Sequence, residues 1–65
     1  MKIGYIELRE DVRFAGEAKG SFQAAHGYTL EQDGGAILVL RDGHAIAVPL
    51  SNVKYMTLVP SPAKK

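Results

Sequence analysis

The stretch "AILVLRDGHAIAVPL", residues 36–50, constrains the fold of this chain more than any other. Asp42-Gly43 stands between two apolar runs, and that dipeptide tolerates the positive φ angles a two-residue type I′ turn demands, so the spacing predicts a β-hairpin. With Asp42 and Gly43 as the loop, the register pairs Arg41 with His44, Leu40 with Ala45, Val39 with Ile46, Leu38 with Ala47 and Ile37 with Val48. Side chains alternate across a strand, so Ile37, Val39, Ile46 and Val48 share one face while Leu38, Leu40, Ala45 and Ala47 share the other. Both faces are apolar, and a single-layer sheet cannot cover both. Either the sheet curls into a barrel and the N-terminal segment packs outside it, or the Leu/Ala face meets another chain.

Beyond the hairpin, Pro49 has no N–H and so ends the ladder or lies on an edge, and Leu50-Ser51-Asn52 has the chemistry of one tight or 3-10 turn. The run "VKYMTLV" then alternates again. It places Val53, Tyr55, Thr57 and Val59 on one side and Lys54, Met56 and Leu58 on the other, until Pro60 and Pro62 stop it. Upstream, "GYTLEQDGG" reads as a strand from Tyr28 to Gln32 that turns at Asp33-Gly34-Gly35 into the central strand. The start, "KIGYIELRE", reads as a strand with Ile3, Tyr5, Ile6 and Leu8, followed by the apolar pair Val12 and Phe14. Between these and Tyr28 lies "AGEAKGSFQAAHG", residues 15–27, rich in Gly and Ala and read as a flexible loop or one irregular strand. No internal repeat is visible. The expectation is an all-β fold, a small and strongly bent SH3/Sm-like barrel of four to five antiparallel strands. It has a one-turn 3-10 corner at Leu50 to Asn52, one domain over residues 1–60 and a flexible tail over 61–65.

A chain of 65 residues buries only about 60% of the surface its unfolded form exposes, so its core is thin. Cysteine is absent, which removes disulfides and thiolate metal sites as sources of extra stability and leaves oligomerisation or a bound partner. The net charge is +1 but unevenly spread: residues 1–33 carry four basic and six acidic side chains, and residues 34–65 carry four basic and one acidic. No apolar run approaches the roughly 20 residues that span a bilayer, and Glu7 and Glu10 come too early for a signal peptide, so a cytoplasmic protein with no membrane contact is expected.

Little in the sequence points to chemistry. His26 and His44 stand eighteen residues apart, outside any metal-ligand spacing. Ser21, Ser51 and Ser61 lack a supporting base, and the carboxylates fall at turns or strand ends, so neither a nucleophile nor an acid/base pair is expected. The glycines of "GEAKG" lack the Lys-Ser/Thr of a phosphate loop. No metal, cofactor or catalytic residue is therefore expected. The aromatics Tyr5, Phe14, Phe22, Tyr28 and Tyr55 fill a core or, near Arg13, Lys19 or Lys54, offer stacking surfaces for single-stranded bases.

The order "ILVLRDGHAIAVPLSNVKYMTLVP" resembles the second half of Sm-like proteins, a group that includes bacterial RNA chaperones, in which a hairpin leads into a short strand ending near a proline. The resemblance covers 24 of 65 residues and rests on hydrophobic spacing. It implies a small barrel and, with it, nucleic-acid binding. In size, lack of cysteine and single-domain form the chain also looks similar to the small accessory proteins of bacteriophages. Two functions follow as expectations. One is a non-enzymatic protein–protein adaptor or regulator, self-associating through Leu38, Leu40, Ala45 and Ala47. The other is single-stranded RNA or DNA binding through Arg41, Lys54, Lys64 and Lys65.

Overall fold

The computed structural model describes residues 2–59; the tail expected over 61–65 lies outside them. Six strands form two three-stranded antiparallel sheets. In chain order they are β1 (Lys2–Phe14), β2 (Glu17–Gln23), β3 (Thr29–Asp33), β4 (Ala36–Arg41), β5 (His44–Pro49) and β6 (Val53–Val59). Single 3-10 turns at Ala24–His26 and Leu50–Asn52 join β2 to β3 and β5 to β6. One sheet has the order β2-β1-β6 and the other β3-β4-β5, and no ladder joins them among the described residues. The fold is all-β as expected, with six strands where four to five were expected, and the two sheets do not close into a hydrogen-bonded barrel.

The β4–β5 hairpin forms in the expected register, from Arg41↔His44 to Ile37↔Val48. Its turn has φ of 51° at Asp42 and 80° at Gly43, both positive as a type I′ turn requires. The corner at Leu50–Asn52 is also as expected, and it is held by Leu50 N–H donating to Gly35 O at 2.9 Å.

The stretch 15–27 is more regular than its composition suggests. β1 continues through Val12 to Phe14, turns at Ala15 and Gly16 with φ of 52° and 85°, and returns as β2. Ala15 carries no turn signal in the sequence, because alanine adopts positive φ only at a cost. Arg13 Nη1 donates to Gly16 O at 3.1 Å across this turn.

β6 corrects a second expectation. Its pairing with β1 runs Glu7↔Tyr55 and then Leu8↔Val53, which leaves Lys54 as an extra residue. Such a bulge reverses the alternation. Val53 and Met56 therefore both face the core, and Tyr55 points out instead of sharing the side of Val53. A matching irregularity at Gly4 lies between Ile3↔Leu58 and Tyr5↔Thr57, which lets Ile3 and Ile6 both pack inward despite their odd spacing. A Cβ on Gly4 would sit 2.6 Å from Val59 Cγ2, so glycine allows the close approach.

Against β2, β1 jumps register between Glu7↔Ser21 and Val12↔Lys19. Leu8, Arg9, Glu10 and Asp11 thus face Gly20 alone, and β1 bends there. Where the β1–β6 ladder stops, the Asn52 side chain takes over. Glu10 N–H donates to Asn52 Oδ1 at 2.9 Å, and Asn52 Nδ2 donates to Glu10 O at 3.1 Å. The carboxamide stands in for one more peptide unit of β6.

The core comprises Ile6, Leu8, Phe14, Phe22, Tyr28, Leu30, Ile37, Val39, Val48 and Val53, with no polar or charged residue buried among them. Phe14, Phe22 and Tyr28 meet edge to face, with ring centroids 5.0 to 5.7 Å apart. Such contacts contribute about 0.5–1.5 kcal/mol per pair beyond area burial. Phe22, the one large apolar side chain of β2, is 1% exposed and ties the Gly/Ala-rich strand to the core.

Candidate binding surface

The hairpin register brings Leu38, Leu40, Ala45 and Ala47 onto one outward face, as the cross-strand pairs Leu38↔Ala47 and Leu40↔Ala45. Ala36↔Pro49 extends this apolar strip. On the other side of β4, the pairs Thr29↔Leu40, Glu31↔Leu38 and Asp33↔Ala36 border it with one hydroxyl and two carboxylates. Leu40 is 38% exposed, Leu38 is half-buried, and Ala45 and Ala47 are exposed.

The N-terminal segment does not cover this face. β1 lies in the other sheet and sends Ile6, Leu8 and Phe14 into the core, opposite Ile37, Val39 and Val48. Among the described residues, the intramolecular way to cover a double-sided hairpin serves the β-branched face alone. On the outer face Leu40, Ala45 and Ala47 stay in contact with solvent, at roughly 25 cal/mol for each Å² of apolar surface left in water.

Of the expected nucleic-acid residues, the described ones stand on different sheets. Arg41 belongs to β4, where its guanidinium carbon lies 4.8 Å from the Tyr28 ring centroid and its Nε lies 3.5 Å from Asp42 Oδ2. Lys54 is the bulged, exposed residue of β6, in the other sheet. Lys64 and Lys65 lie outside the described residues. Phe14, Phe22 and Tyr28 are core, which leaves Tyr5 and Tyr55 as the outward aromatics. Their rings are 5.9 Å apart and tilted by 38°, and Tyr55 is 51% exposed. The bulge that turns Tyr55 outward gives no signal in the strand's own alternation.

Tyr5 Oη donates to Glu7 Oε1. That bond to a carboxylate raises the Tyr5 pKa above its ordinary 10.0, because the phenolate would lose the donated proton and face a like charge; a contact with Ser21 opposes the shift in part.

His44 stands beside Phe14, with ring centroids 5.9 Å apart, and His26 is exposed in the turn after β2. Among the described residues, no group of three or more His, Asp or Glu side chains is placed to hold a metal ion. No helix among them is long and apolar enough to cross a membrane. Compared with known proteins, the chain matches no family model, no curated protein and no solved structure at a significant level.

Proposed function

We propose that this protein is a small non-enzymatic binding module, a barrel of the SH3/Sm kind that acts as a protein–protein adaptor or regulator and docks through the outer face of β3, β4 and β5. The element order supports the fold assignment: a long first hairpin, a three-stranded meander, a one-turn 3-10 corner and a last strand that returns to pair with β1. The observation that carries the function is the outward strip of Leu38, Leu40, Ala45 and Ala47, set on a core of only ten buried side chains among the described residues. A contiguous apolar strip on so small a domain lowers its free energy by meeting another surface. A second copy of the chain is the simplest partner, since a self-complementary two-fold contact needs no other molecule. Its setting in this reading is the cytoplasm, where a chain without cysteine needs no oxidising compartment, and its size and form suit the accessory proteins that bacteriophages encode.

Single-stranded nucleic-acid binding is the second reading. The pair of exposed Tyr55 and half-buried Tyr5, next in sequence to Lys54, favours it, since aromatic faces near a cation stack bases. Affinity purification of the tagged chain from a native lysate, with and without nuclease, tests the two together. A protein partner that survives nuclease and disappears with Leu38→Glu supports the adaptor reading. A partner lost to nuclease or to added salt, and indifferent to Leu38→Glu, supports nucleic acid instead.

A further inference from the structure

A groove runs along the free edge of β3, lined by Lys2, Ile3, Tyr28, Leu30, Glu31 and Leu58. It lies between the two sheets, apart from the strip of Leu38 and Leu40. β3 is bonded to β4 alone, through five consecutive pairs without a register shift. The two-residue turn makes Asp33 and Ala36 a hydrogen-bonded pair, so by alternation Glu31 and Thr29 bond to β4, and Leu30 and Gln32 aim their N–H and C=O groups away from it. Of the other edges, β5 ends in Pro49, β6 is broken by the bulge at Lys54, and β2 is interrupted at Gly20, where four residues of β1 stand opposite one. β3 carries none of these devices and has an apolar wall beside it in Ile3 and Leu58, the latter 52% exposed.

From this we infer that β3 accepts an added strand: an extended peptide segment in which basic residues alternate with apolar ones. The period follows from the pleat. On one side the guest's side chains face Leu30, Ile3 and Leu58, which suits aliphatic residues. On the other they stand beside Glu31 and Asp33, both exposed, which suits lysine or arginine, because opposite charges across a strand pair attract and like charges repel. Main-chain bonds to Leu30 and Gln32 supply affinity, and the alternating pockets and charges supply specificity. The inference does not depend on self-association through the outer face.

The test titrates a blocked peptide of alternating lysine and valine into the full chain and follows backbone amides by NMR, with an alternating glutamate and valine peptide as its counterpart. The inference predicts shifts along Thr29 to Asp33 and slowed exchange of the Leu30 and Gln32 amides. It also predicts preference for the lysine peptide. Gln32→Pro removes one outward donor and should weaken binding about tenfold, the effect of losing one main-chain bond. Glu31→Lys should weaken the lysine peptide about threefold and strengthen the glutamate peptide, as exposed pairs do. Leu38→Ala, which removes apolar surface from the outer strip without adding charge beside Glu31, should leave both titrations unchanged. Equal affinity for the two peptides, shifts centred on Leu38 and Leu40, or no binding of the lysine peptide at low salt overturns the inference. Should Gln32→Pro fail to fold, the charge exchange at Glu31 decides.

Discussion

At the scale of single residues, backbone conformation and one hydrogen bond give the sharpest expectations. Ala15 holds φ at 52° in the first position of a type I′ turn, ahead of Gly16, where asparagine is favoured over alanine. Ala15→Asn should therefore stabilise the fold by about 0.5–1 kcal/mol, a part of the roughly 1–2 kcal/mol that a left-handed alanine costs, as read by urea denaturation; unchanged or lower stability would contradict the turn geometry. Tyr5 gives the pH expectation. Its neutral phenol makes the bond to Glu7, and its pKa in the fold is raised, so this contact is present below the ordinary tyrosine value and is lost as pH rises through the raised one. In an NMR titration of the Tyr5 ring, Glu7→Gln should bring the midpoint down toward 10.0. A midpoint indifferent to that change would mean the bond does not form.

At the scale of elements, what the sequence revealed depended on whether the cause was local. The β4–β5 hairpin and the 3-10 corner were legible because Asp42-Gly43 and the Pro49-to-Asn52 stretch carry their own turn chemistry. β2 was not, since "EAKGSFQ" has one large apolar residue, and its strand state is set by pairing with β1 and by Phe22 in the core. The bulge at Lys54 was hidden for a related reason: it is fixed by register against β1. So was the role of Asn52, whose turn propensity concealed its part as a surrogate strand partner. Asn52→Ala should cost about 1–2 kcal/mol for the two lost bonds and should speed exchange of the Glu10 amide selectively. Protection at Glu10 equal to wild type would show that the side chain does not continue the ladder.

At the scale of the whole molecule, the two sheets divide the apolar residues unequally. Ile37, Val39 and Val48 face β1 across the core, whereas Leu38, Leu40, Ala45 and Ala47 face outward with no segment of the described chain over them. This division was readable from alternation alone, and so the candidate face was named from sequence. Which alternative covers it required the position of β1. The groove along β3 could not be read at all, because it exists only through the placement of one sheet against the other. Whether the outer face is a contact surface is decided by sedimentation across about a hundredfold dilution, since association that buries this strip must follow mass action. The wild-type mass should rise from monomer to dimer with concentration, and a folded Leu38→Glu variant should stay monomeric throughout. A wild-type protein monomeric at every concentration, or a Leu38→Glu variant that associates as the wild type does, would contradict a contact there.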